Sequence, residues 1–346
     1  MGEQKIEVRI SVRNLVEFLL RSGDINSGFT GGSKALEGSR MHRKLQKAQG
    51  DEYSAEVTLC HSVEYDEFIL SVEGRADGII DQNGSYTIDE IKTTSRMLEE
   101  IDEDYEPVHW PQAKCYAYIF LNQENLGEID VRLTYCQLES EEIKYFIRKY
   151  TASELKDFFQ KLLEEYYLWA KLTYEWNLKR NASIKGIEFP FRKYRKGQRE
   201  LAVAVYKTIR NEKKLFVNAP TGTGKTISTV FPSVKALGEG LTSKIFYLTA
   251  KTITRSVAEE AFAIMRKDGL NLKTITLTAK EKICFLEKSD CNPMGCEFAR
   301  GHFDRANEAL KEIVISEDEY KRDIIVEYAL KHRVCPFEFS LDLTMW

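Results

Sequence analysis

No run of about 18 apolar residues occurs anywhere in the sequence, so no membrane-spanning helix is expected. The first residues, Met1-Gly2-Glu3-Gln4-Lys5, lack the apolar core of a signal peptide. Ile6 stands where a myristoylation signal needs Ser or Thr. A cytoplasmic protein is the expectation. Excess charge of either sign is also missing. The formal net charge is −4 over 346 residues, so a contact with an acidic polymer must come from local basic patches. There is no internal repeat and no low-complexity tract. Seven cysteines, an odd number, argue against a disulfide framework in a reducing compartment. Paired C-x2-C knuckles, the usual frame of structural zinc, are absent. What remains is an ordinary globular composition, 43% hydrophobic and 30% charged, long enough for two domains.

The strongest chemical signal is Asn218-Ala219-Pro220-Thr221-Gly222-Thr223-Gly224-Lys225-Thr226. It follows the apolar run Leu215, Phe216, Val217 and precedes a helix-compatible segment. This strand–glycine loop–helix order suits a phosphate-binding loop. Gly222 and Gly224 let the backbone N–H groups turn toward a triphosphate, and the helix N-terminus adds partial positive charge. Lys225 would reach the β/γ-phosphates of ATP and Thr226 would ligand Mg²⁺, with Thr223 in the loop between the two glycines.

Earlier in the chain, Ser11 reads as an N-cap before Val12, Leu15, Val16, Leu19 and Leu20 at helical spacing, with Gly23 as the stop. A second helix starting near Ala35–Gly38 carries His42. Residues 53–93 alternate as a strand meander with a turn at Asp81-Gln82-Asn83-Gly84. A helix around Pro111–Leu121 follows, then strands at Ile129–Tyr135 and Ile143–Tyr150. Thr151 and Glu154 form a capping box that opens a long helix reaching about Asn177. Lys179–Lys196 is basic and irregular and reads as a linker. A second α/β unit continues with a helix at Gln198–Ile209, the strand before the glycine loop and another strand at Lys244–Thr249.

Asp77 is placed at a strand end, and Glu90-Ile91-Lys92 in the next strand. Alternation puts Glu90 and Lys92 on one face. Two carboxylates beside an ammonium suit Mg²⁺ or Mn²⁺, which would polarise a phosphodiester, with Lys92 orienting water or stabilising developing charge. The bland alternative is a turn aspartate and a surface ion pair. This D…E-x-K pattern resembles the PD-(D/E)xK nucleases, and more narrowly their RecB-type branch. The resemblance implies a further metal ligand at His42, in Gly38-x-x-x-His42, and a Gln–Tyr pair one turn apart, matched by Gln112 and Tyr116. Cys60, Cys115 and Cys136 do not fit the cysteine arrangement that some members carry, and read as buried thiols.

The late cysteines Cys284, Cys291, Cys296 and Cys335 are spaced x6, x4 and x38. Four thiolates suit zinc or an iron–sulfur cluster. Together with Arg195-Lys196-Gly197-Gln198-Arg199, the glycine loop, Tyr247–Thr252, Gly301-His302-Phe303-Asp304 and Val334-Cys335-Pro336-Phe337-Glu338, they resemble the XPD/DinG-type iron–sulfur superfamily 2 helicases. That resemblance implies a [4Fe–4S] cluster on the four cysteines, adenine contact at Gln198 and one DNA strand against Thr249–Thr252.

The expected architecture is therefore α/β: a mixed-sheet nuclease-like domain over 1–150, a bridging helix and basic linker over 151–190, the P-loop half of a RecA-like domain over 191–269, and a four-cysteine insertion over 270–346. No Asp-Glu-Ala-His segment follows Cys335, so the chain reads as the N-terminal part of an ATP-dependent DNA helicase/nuclease. Its expected partner is DNA, single-stranded or branched. An inert DNA-tethering module and a P-loop protein with a zinc insertion are the competing readings.

Overall fold

In a computed structural model, residues 5–25, 32–220, 222–249 and 252–345 are described. They form two compact units, one of residues 1–172, 275–316 and 321–346, the other of 173–274 and 317–320.

The first unit is built on a six-stranded mixed sheet. Its strands are β1 (Ile6–Ser11), β2 (Tyr53–Glu64), β3 (Phe68–Gln82), β4 (Ser85–Thr94), β5 (Glu128–Gln137) and β6 (Ile143–Thr151). β3 is long and has β2 antiparallel along one edge. Its other edge is shared. β1 runs parallel to Phe68–Glu73, and β4 runs antiparallel to Gly78–Gln82. Between those two partners, residues 74–77 of β3 face a fork. β4 leaves β3 after the Gly78↔Asp89 pair and continues parallel to β5.

Helix α1 (Val12–Leu20) starts where Ser11 Oγ accepts the Asn14 amide at 3.1 Å, the cap expected from sequence. Val12, Leu15 and Val16 are fully buried, each worth about 1.5–3 kcal/mol as side chains withdrawn from water. α2 (Gly32–Lys47) and α3 (His109–Glu124) bring side chains to the fork. α3 is apolar nearly all round and ends in a left-handed cap at Asn125. The capping box is present: Thr151 N–H and Oγ both donate to Glu154, and Glu154 N–H returns to Thr151 Oγ. It opens α4 (Ala152–Gly186), longer than the sequence pattern indicates, and the boundary between the two units at 172/173 falls within it.

All four late cysteines belong to the first unit. The loop after α1 is tied to their segment by backbone groups. Ile25 N–H donates to Ala299 O at 2.8 Å and Phe303 N–H to Gly23 O at 3.0 Å. Gly301 N–H reaches Asp24, and Arg21 pairs with Asp342 at 2.8 Å. Ile25, Ala299 and Cys335 form a small core, with Cys291 and Cys296 against it.

The second unit holds α5 (Gln198–Arg210), α6 (Lys225–Gly238) and α7 (Thr252–Lys267). Its core joins Ile184, Ile187, Ile227, Val230, Val234 and Leu237 with Met265. Segments 215–217 and 244–249, expected as strands, are irregular here. Phe216 and Leu248 are 92% and 88% exposed. The physical reason is that a parallel strand needs neighbours on both edges and cover on both faces. Among the described residues of this unit, neither segment joins a ladder.

Candidate nuclease site

The fork between β3 and β4 gathers the residues singled out from the sequence. Asp77 is not at a strand end, as expected, but within β3, one residue beyond its ladder with β4. Freed from that ladder, the Ile91 amide of β4 donates instead to Asp77 Oδ2 at 2.8 Å. His42, on α2, places Nδ1 3.6 Å from Asp77 Oδ1. Glu90 and Lys92 share a face, as alternation requires, and Lys92 Nζ donates to Glu90 Oε1 at 2.8 Å. The same ammonium donates to Gln112 Oε1 at 3.0 Å, bringing α3 into the network. Tyr116 lies one turn on from Gln112 in α3, with its hydroxyl against Gly74 of β3. Two side-chain sets thus meet at the fork, His42–Asp77 and Glu90–Lys92–Gln112, joined by the Ile91 backbone amide on Asp77.

Glycine makes the approach of α3 feasible. A Cβ at Gly74 would stand 2.8 Å from the Tyr116 hydroxyl oxygen. On the far side, Tyr53 lies over Gly78 and hydrogen-bonds Asp89, which is also held by Arg132 Nε and Nη2 at 2.9 Å each and by Thr134. Asp89 is buried but has four donors, so it braces the strand beside the site.

Glu90 is the electrostatic centre. It is 2% exposed, and burial pushes its carboxyl up to about 7, reinforced by the Asp77 charge and opposed by Lys92 and His42. Its Oε2 is buried with no hydrogen-bond partner among the described residues. A buried carboxylate oxygen left without a donor is costly, and a cation or a proton relieves it. The oxygen and imidazole donors of Asp77, Glu90 and His42 therefore fit a hard divalent ion. Among the described residues, no three His, Cys, Asp or Glu side chains are already gathered into an ion-holding group, so the trio is a donor set rather than a preformed cage.

Two residues at the site carry no motif. Gln46 follows His42 by one turn and donates to the Asp77 carbonyl oxygen at 2.9 Å. His109 precedes Gln112 by three residues and meets the Tyr135 hydroxyl at 2.7 Å, where burial and Lys92 depress its basicity to about 3. Helical spacing from the motif residues is the signal that would have found both.

The profile of the PD-(D/E)XK nuclease superfamily matches residues 12–199, more than half of the chain. The chain belongs to that superfamily. The match extends past the sheet and through α4. The probable ATP-dependent helicase MJ0942 of Methanocaldococcus jannaschii is 30% identical over 122 residues, 35% of this chain but only 18% of that relative. The crystal structure of SSO0001 aligns over 47% of this chain and 78% of its own, at 18% identity and a TM-score of 0.31.

The remaining sequence-selected residues lie elsewhere. Gly222 and Gly224 adopt positive φ of 84° and 72°, and α6 starts at Lys225. Lys225 Nζ is bent back onto the carbonyls of Ala219 and Pro220, at 3.0 Å each. Thr223 Oγ donates to Pro220 O at 2.9 Å, and the Thr226 hydroxyl lies 3.4 Å from that of Tyr247. Gln198 is buried, accepts the Arg195 amide at 2.9 Å and rests against Gly224. Thr221, Ala250 and Lys251 lie outside the described residues. Among the early cysteines, Cys115 and Cys136 are buried as expected, whereas Cys60 is exposed. Cys291, Cys296 and Cys335 share one small core, and Cys284 caps the short helix α8 (Lys280–Ile283).

Proposed function

We propose that this chain is a metal-dependent DNA nuclease whose active site is the fork between β3 and β4, joined to the ATP-binding part of a DNA helicase. The observation that carries the nuclease reading is the unpartnered, buried Oε2 of Glu90 within the network of His42, Asp77, Lys92, Gln112 and Tyr116. Asp77, Glu90 and His42 would hold Mg²⁺ or Mn²⁺, which when bound supplies Lewis-acid polarisation of a phosphodiester and a more acidic water. The chain's own residues do the rest. Lys92 keeps Glu90 Oε1 occupied and offers an ammonium to the charge that develops at phosphorus. Gln112 fixes that ammonium, and Tyr116 holds α3 against Gly74 of β3. The substrate is expected to be DNA, single-stranded or branched.

The glycine loop at 218–226 would bind ATP and Mg²⁺, with Lys225 leaving its own loop carbonyls for the phosphates. Its support is the motif, the positive-φ glycines and the helix start at Lys225. The four late cysteines would hold a [4Fe–4S] cluster. Their spacing and the shared core of three of them support this, although as they stand their sulfurs are not gathered as a metal site. Iron and acid-labile sulfide in an anaerobic preparation, lost on Cys296→Ser, would bear the cluster out; stoichiometric zinc would replace it.

The nuclease reading is tested by Mn²⁺-dependent cleavage of single-stranded and duplex DNA, with Lys92→Ala as the control. Cleavage abolished by that substitution is the expected result. Cleavage that persists in the variant would remove Lys92 from the chemistry, and binding without cleavage in the wild type would favour an inert tether.

A further inference from the structure

α2 meets the Asp77 strand at two levels. One turn apart on one helix face, His42 faces the carboxylate of Asp77 and Gln46 faces its backbone. Gln46 is buried, and its side-chain amide nitrogen makes two bonds of 2.9 Å, to the Asp77 carbonyl oxygen and to Glu56 Oε1. Glu56 sits on β2 directly across from Asp77. The β2–β3 ladder pairs Ala55 with Gly78 and Val57 with Ala76 but skips the position between them. There Glu56 takes φ of +57°, a left-handed conformation that a residue with a side chain adopts only when its surroundings impose it. The ladder is therefore interrupted at the residue whose carboxylate enters the site. The Asp77 carbonyl is satisfied by a side chain from α2.

We infer that Gln46 is a positioning residue: by holding the Asp77 carbonyl at this break in the ladder, it fixes the direction in which the Asp77 carboxylate enters the site. The inference rests on the reading of Asp77 as a metal-holding carboxylate. Gln46 acts through Asp77 and touches neither substrate nor ion. The aspartate is then gripped at three points: its carbonyl by Gln46, Oδ2 by the Ile91 amide at 2.8 Å, and Oδ1 facing His42. Removing the first lets the peptide at 77 rotate, and the carboxylate with it. Glu56 serves as the outer anchor of the Gln46 amide, itself steadied by Arg75.

The test is a Mn²⁺ titration of the full chain, followed by the electron paramagnetic resonance signal of the free ion, with four variants. Asp77→Asn reports on the site itself. Gln46→Met keeps the shape without donors, and Gln46→Asn keeps the amide but withdraws it by one methylene. Glu56→Gln keeps an acceptor for Gln46 and removes only the charge. Loss of an outer partner of a metal ligand typically weakens affinity by about 10–100-fold. Both Gln46 variants should raise the half-saturating Mn²⁺ concentration at least tenfold, while Glu56→Gln stays near wild type. Single-turnover cleavage by the Gln46 variants should recover toward the wild-type rate at saturating Mn²⁺, which a generally weakened fold would not do. Wild-type Mn²⁺ affinity in both Gln46 variants, with Asp77→Asn impaired, would overturn the role of Gln46 alone. Equal loss in Glu56→Gln and Gln46→Met, without recovery at high Mn²⁺, would reduce Gln46 to a structural clamp on β2. A wild-type chain whose Mn²⁺ binding is unchanged by Asp77→Asn would overturn the site reading itself.

Discussion

Replacing Glu90 by Gln should make the metal-free protein less sensitive to pH in a defined window. The native Glu90 carboxyl is raised from an ordinary 4.5 to about 7, chiefly by burial. Between those values the folded chain holds a proton that the unfolded chain has released. Unfolding therefore releases a proton, and native stability falls as pH rises through the window. At 1.36 kcal/mol for each tenfold in proton affinity, the fall is on the order of 3 kcal/mol, complete above about pH 7 and absent below about pH 4.5. Glutamine carries no such proton. It keeps a carbonyl for Lys92 and places no charge in the fork. Whatever packing difference the substitution introduces is the same at every pH. The measurement is urea unfolding in chelator, wild type against Glu90→Gln, at pH 4.5 and pH 8. The stability difference should move by about 3 kcal/mol in favour of Gln at the higher pH. Adding Mn²⁺ at pH 8 should then stabilise only the wild type, by about 2.7 kcal/mol at a hundredfold excess over its dissociation constant. A difference independent of pH would refute the burial argument, and equal stabilisation of both chains by Mn²⁺ would take Glu90 out of the donor set.

Other substitutions separate bracing from chemistry. Gly74→Ala would push a methyl to 2.8 Å from the Tyr116 hydroxyl oxygen, and thermal unfolding should show a loss of about 1–3 kcal/mol, with cleavage reduced as α3 withdraws Gln112. Asp89→Asn leaves the half-buried Arg132 without its carboxylate. It should cost about 3–5 kcal/mol in chemical denaturation while Mn²⁺ affinity, measured on the protein that remains folded, stays near wild type. Lys225→Ala should abolish binding of a fluorescent ATP analogue and leave Mn²⁺-dependent cleavage unchanged.

The first unit was largely legible because its signals are local and periodic. The Ser11 cap, the Thr151–Glu154 capping box and the alternation of Glu90 and Lys92 each appear where the spacing placed them. Two features were not legible. The first is the shared edge of β3, which puts Asp77 inside a strand and at a fork rather than at a strand end. No local pattern encodes which of two strands takes an edge. The second is the Gln46–Glu56 contact, made where Glu56 takes a left-handed φ that its residue type does not favour. In the second unit the helices α5 and α6 follow their patterns. Segments 215–217 and 244–249 do not, because a buried parallel strand is specified by neighbours rather than by its own residues. Place in the chain, after the glycine loop, sets the four cysteines with the second α/β unit, whereas they fold into the unit that contains the fork.

On the proposed reading, one divalent ion sits in the fork between Asp77 and Glu90. Crystals of the chain soaked in Mn²⁺ and measured at the manganese absorption edge test it most directly. An anomalous peak is expected at bonding distance, about 2.1 Å, from the Asp77 carboxylate and from Glu90 Oε2, with His42 beside it. A peak elsewhere, with the fork empty at a Mn²⁺ concentration that supports cleavage, would contradict it.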